Sequence, residues 1–122
     1  MHATDTPTMT DDTHRLLSSQ LRLASADLLN TPTAENFNLL SRAFAAVSRA
    51  GVSGTAVQLG CCALYDIYAR YETTAAITVT AGEAERIRAA IDSIDAALPS
   101  VEVKLLKQAI SEIDVHCASV GA

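Results

Sequence analysis

The stretch TAGEAERIRAAIDSIDAALPS, Thr80 to Ser100, carries a complete helix signal. Thr80 stands three residues ahead of Glu83, the capping-box spacing in which each side chain satisfies the other residue's free backbone N–H. Ala84, Ile87, Ile91, Ile94 and Leu98 then recur at intervals of three and four, which places them on one face of a helix. Pro99 closes the segment, and Ser100 is placed to open another carrying Val103, Leu106, Ile110, Ile113 and Cys117, with Gly121 as its stop.

Reading back from Thr80, the run ETTAAITVT from Glu72 changes character, with Ile77 and Val79 alternating against threonines. It is predicted to be an extended connector. A lone strand would leave its backbone groups unpaired, and nothing else in the chain has period two. Before it, Val57, Cys61, Leu64, Tyr68 and Tyr71 read as the inward stripe of a third helix capped by Ser53. Gly51 supplies the left-handed stop of a second helix, opened by Thr31 and Pro32 and striped by Phe37, Leu40, Phe44 and Val47. The first helix starts near Asp11 and Asp12, buries Leu17, Leu21, Ala24 and Leu28, and ends at Asn30 and Pro32. Residues 1–10 have no usable period and are predicted to be a disordered tail.

Five amphipathic segments with short links predict an all-α fold: a compact antiparallel bundle of about five helices, one domain over residues 11–122, with sequence neighbours packed side by side. The 122 residues are enough to bury a core without metal or disulfide staples. With no Trp, two Phe and three Tyr, that core must be aliphatic and alanine-rich. Gly60, costly inside a helix, predicts a close helix approach there, expected from the face bearing Ala43, Ala46 and Ala50.

The net charge of −5 works against nucleic acid as a partner, because phosphate binding draws on lysine and arginine. No apolar run is long enough for a membrane span, and Met1 to Thr13 has neither the basic start nor the apolar core of a signal peptide, so cytoplasmic residence is expected. Three cysteines point to reduced thiols rather than a disulfide framework.

Candidate constellations each meet a plainer account. Cys61 and Cys62 could approach His116 and Cys117 if the third and fifth helices packed together. Adjacent helical residues point about 100° apart, however, so the pair is poorly placed to chelate one ion. The cysteines are read as buried small hydrophobes, with no metal, cofactor or catalytic residue assigned. His2 falls in the tail, and His14 and His116 read as solvated helix histidines. Asp92 with Arg88, and Asp66 with Arg70, read as exposed pairs one helical turn apart.

Val47 to Val57 resembles the turn of helix-turn-helix DNA readers, through Ala50, Gly51, Val52, Ser53 and Val57. That resemblance implies groove contacts from Gly54, Thr55 and Gln58 and a cap from Ser53, with Arg49 and Arg42 as nearby phosphate partners. Only two cations lie near, and the sequence after the turn, Leu59 to Leu64, reads as buried. A DNA-binding regulator is therefore the alternative reading.

Leu39 to Ile110 resembles uncharacterised short proteins of proteobacterial prophages and plasmids, through Tyr68-Ala69-Arg70 and the run Arg88-Ala89-Ala90-Ile91-Asp92. That resemblance implies mobile-element carriage and no activity. The leading expectation is a non-enzymatic accessory or regulatory protein that contacts another protein, with a second copy of itself as a further candidate partner and Tyr65, Tyr71, Ile77 and Val79 as the candidate contact patch. A connector folded back over those rings would be the plainer outcome.

Overall fold

The computed structural model describes residues 10–119, with side-chain detail through Asp114; residues 1–9 of the expected 1–10 tail, His2 among them, and Gly121 lie outside the described residues, as do the side chains of His116 and Cys117, while Thr10, the last residue of that tail, belongs to α1 as its cap. Five α-helices make up the all-α bundle: α1 (Asp11–Asn30), α2 (Ala34–Arg49), α3 (Thr55–Thr74), α4 (Ala81–Ala97) and α5 (Val103–Ser119), with a 3-10 turn at Leu98–Ser100. None of the described helices is long and apolar enough to cross a membrane.

Local chemistry explains most helix ends. The Thr10 hydroxyl accepts from the Thr13 N–H to start α1, and Asp11 and Asp12 occupy its positive first turn. The Thr80–Glu83 capping box forms in full at the start of α4. At the end of α2, the Gly51 N–H donates to the Ser48 carbonyl and the Val52 N–H to the Val47 carbonyl. With Gly51 at φ +104°, this is a Schellman stop, in which Val52 folds back into the core.

Three helix starts differ from expectation. Thr33, not Thr31, caps α2, accepting from the Asn36 N–H at 3.1 Å, while Thr31 terminates α1 and its carbonyl accepts from the Asn36 amide. Pro32 thus sits outside the helix as a spacer. Thr33→Ala is expected to cost about 1 kcal/mol, and Thr31→Ala to change stability far less; urea unfolding of the two variants checks the order. Gly54, at φ +136°, occupies the cap position of α3 with no side-chain bond, so Ser53 does not cap it. Likewise α5 begins at Val103 rather than Ser100, because the 3-10 turn takes up Leu98–Ser100.

The helices run antiparallel, but not every sequence neighbour is a spatial one. α1 lies along α2 and α4, α3 lies along α4, and α5 turns back onto α2. The core is aliphatic as expected. Phe44, Leu28, Leu40, Ile67, Ile87, Ile94 and Leu98 are fully buried, and the stripes of α2 and α4 are in the expected phase. In α5 the inward position falls on Ala109 rather than Ile110, which is 41% exposed.

The α3 stripe is the main correction. Its buried positions are Val57, Gly60, Ala63, Leu64 and Ile67; Cys61, Tyr68 and Tyr71 face outward, and Cys62 with them. The cause is Gly60. A hydrophobic stripe cannot register a residue whose contribution is the lack of a side chain, so Cys61 takes its place in the pattern. A Cβ at Gly60 would collide with the Cβ of Ala90 and touch the Phe44 ring at 3.0 Å. The close approach therefore comes from α4, with Phe44 of α2 beside it, and not from Ala43, Ala46 and Ala50.

Candidate protein-interaction face

The expected patch combined Tyr65 and Tyr71 with Ile77 and Val79, and the connector decides how much of it reaches the surface. α3 continues through Glu72, Thr73 and Thr74, so the extended stretch begins only after Ala75, whose left-handed φ of 59° turns the chain. Ile77 and Val79 then pack half-buried against the core, as the plainer reading held, but they do not cover the rings.

Arg70 is what holds the connector in place. Its guanidinium donates to both carboxylate oxygens of Glu83, at 2.6 and 3.1 Å, to the Thr78 carbonyl at 2.8 Å and to the Thr78 hydroxyl at 2.9 Å. Glu83 is buried, and it also accepts from the Thr80 N–H at 2.9 Å. Burial pushes the Glu83 carboxyl up, but the Arg70 bonds and the Thr80 backbone bond together outweigh that, leaving it below the usual carboxylate range. One residue thus fastens α3, connector and α4. The expected Asp66–Arg70 pair does not form; Asp66 instead lies 3.7 Å from Arg86.

With the connector tied down, Tyr65, Tyr68 and Tyr71 stand on the outside of α3, spread over an arc of about 120°, and exposed by 69%, 45% and 36%. Tyr68 stacks on Phe37 of α2, with centroids 6.4 Å apart and planes 19° from parallel. The ring is therefore fixed by its neighbour while one side faces solvent. Glu72 stands beside its hydroxyl and pushes the phenol's ionisation up, so Tyr68 remains a neutral donor.

Below Tyr65 and Tyr68 an apolar groove of about 290 Å³ runs between α2 and α3, with Phe37, Leu64 and Cys61 on its walls. The Ser41 hydroxyl, buried at its edge, has no hydrogen-bond partner among the described residues. Partial burial, with Cys62 adding, pushes the Cys61 thiol up, which favours the neutral thiol and works against nucleophilic chemistry. Both cysteines are surface residues, contrary to expectation. α5 lies on α2, so the helix pairing that the metal reading required is not the observed one. Among the described residues no three His, Cys, Asp or Glu side chains converge as a metal site.

The residues of the DNA reading are also placed. Ser53, Thr55 and Gln58 are exposed just past the Schellman turn. Leu59 is exposed too, so the segment after the turn is only partly buried. Arg49 reaches across to Glu112 of α5 at 3.4 Å, which engages one of the two nearby cations. The turn was legible, but its physics is that of a general helix stop.

A polar cluster that sequence spacing missed joins α1 to α4. Arg22 donates to Asp92 at 3.1 Å and to Asp95 at 2.9 Å, and the His14 Nε2 lies 2.9 Å from Asp95. Arg22, with Ser18 and His14 adding, holds the Asp95 carboxyl below its usual range against a partial burial penalty. Neither the Arg88–Asp92 pair nor a solvated His14 describes this arrangement. Pairs one turn apart are visible in a sequence, whereas these partners are 70 to 81 residues apart. No family model, curated protein or solved structure matches the chain.

Proposed function

We propose that the protein is a non-enzymatic accessory or regulatory protein that binds another protein through the tyrosine face of α3. The observation that carries this reading is the exposed arc of Tyr65, Tyr68 and Tyr71 beside an apolar groove. Tyrosine supplies a large rigid contact area and a polar tip at small entropic cost, and such side chains dominate binding energy at protein interfaces. An amphipathic helix fits this site: its apolar residues enter the α2–α3 groove, and the exposed Asp66 and Glu72 favour basic residues at its flanks. The resemblance of Leu39–Ile110 to prophage and plasmid proteins supports a mobile-element setting, in which a basic host protein is a suitable target.

The test compares wild type with Tyr65→Ala/Tyr71→Ala. Partners captured by the wild type from cells of the host are purified and titrated by calorimetry. The double variant, unchanged in thermal unfolding, is expected to bind at least about tenfold more weakly. Equal affinity would move the contact elsewhere.

A further inference from the structure

A second groove lies away from the tyrosine face, floored by Ala43 and Ala46 of α2 and walled by Leu17 of α1 and Ile113 of α5, with a volume of about 220 Å³. Its surroundings are more apolar than a surface position requires. Leu16 and Leu23, each one helical turn from Gln20, which lines the groove, are 58% and 62% exposed, and Leu39, seven residues before Ala46, is 52% exposed. Across the groove Ile110 of α5 is the outward-facing residue noted above. Leucines at helical spacing beside an alanine-floored channel are knobs next to a place for knobs.

The charges at the rim say what fits. Arg42 and Asp114 both line this groove, and neither has an ion-pair partner within 4.0 Å among the described residues. Among the described residues each molecule thus presents one unpaired cation and one unpaired anion on a patch that is otherwise apolar apart from Gln20. Two copies of a chain with net charge −5 repel each other wherever their acidic surfaces meet. Within the lining of this groove one cation, Arg42, balances one anion, Asp114, whereas the tyrosine face carries the exposed Asp66 and Glu72. A two-fold contact, in which the same patch serves both sides, allows Arg42 of each protomer to meet Asp114 of the other.

We infer that this groove is the docking site for a second copy of the chain, joined through Leu16, Leu23 and Leu39 with reciprocal Arg42–Asp114 pairs. The inference is independent of the proposed partner, which uses the other side of α2.

Sedimentation of the full chain over a range of protein concentrations tests it. Wild type is expected to show reversible, concentration-dependent mass up to two protomers. Leu39→Glu, at an exposed site with no role in the core, is expected to raise the dissociation constant at least about tenfold while leaving the unfolding midpoint of the monomer unchanged. Arg42→Asp and Asp114→Arg should each weaken association, and the double exchange should recover it, a result that a merely structural role for either residue would not give. A single-protomer mass at every concentration up to the millimolar range would overturn the inference. So would a dimer indifferent to Leu39→Glu, or one that forms only after residues 1–9 are deleted, which would make those residues the occupant of the groove.

Discussion

Gly60→Leu is expected to cost at least about 3 kcal/mol of folding stability, the upper end of what overpacking does, and a large part of the total for a domain of this size. The site has no room. Ala90 already meets the position a Cβ would take, and it offers its own Cβ rather than the movable end of a long side chain. α3 and α4 must separate, and the contacts of Ile67, Ile87 and Ile91 along the same seam loosen with them. Gly60→Ala tests the mechanism more finely. Alanine gains about 1 kcal/mol in helix propensity over glycine, so a net loss of stability would show that the collision outweighs it. Adding Ala90→Gly removes the colliding atom, and the double variant should be more stable than the two single effects sum to. Thermal and urea unfolding of the four proteins gives the coupling, and simple additivity would show that Gly60 is not there for the approach of α4.

The second large effect is expected at Arg70→Met, which keeps the aliphatic stem and removes the charge. Deleting one partner of a buried ion pair costs about 3–5 kcal/mol when the remaining charge is sealed off. Glu83 retains its Thr80 bond and the site opens to water on the guanidinium side, so the loss at neutral pH is expected to fall below that range while remaining plainly measurable. The pH dependence separates this from lost packing. In the wild type the Glu83 carboxyl lies below its ordinary range, so its contribution is complete above about pH 5 and is lost as the pH falls through its folded-state value. In the variant, burial without the guanidinium raises that carboxyl, and protonation then relieves the destabilisation. The stability gap should therefore narrow on going from pH 6 to pH 3, as followed by urea unfolding. A constant gap would assign the loss to packing alone. Glu83→Gln, which can still accept from Thr80 and from Arg70, should lose less than Arg70→Met.

Much of the architecture was readable because it depends on local chemistry. The capping box at Thr80 and Glu83, the glycine stop at Gly51, and the stripes of α2 and α4 are written within a few residues of where they act. Misread positions share a different property, dependence on a distant partner. Cys61 looked buried because the true contact residue, Gly60, has no side chain for a pattern to detect. His14 and Asp92 looked like solvated groups because helical spacing offers Arg88 as a partner for Asp92 and says nothing of α1 lying antiparallel to α4, where Arg22 and Asp95 complete the cluster. Of the candidate contact patch, Tyr65 and Tyr71 could be found from the crowding of aromatics on one helix. The loss of Ile77 and Val79 to the core follows from the four bonds Arg70 makes to Thr78 and Glu83, and neither bond partner lies within the same helix.

The return of α5 onto α2 bears on how the chain assembles. Sequence separations are short on one side of the molecule: Arg70 and Glu83 are 13 residues apart, so α3 and α4 can zip together as a helical hairpin as soon as both exist. Arg49 and Glu112 are 63 apart, and closing that span adds loop entropy before any contact offsets it. On a ribosome, α1 to α4 emerge and associate while α5 is still inside the exit tunnel, and the flank of α2 around Val47 and Ala50 waits uncovered. Docking of α5 thus closes this group of helices like a latch, and a nascent chain stalled before α5 displays a sticky surface that a chaperone would recognise.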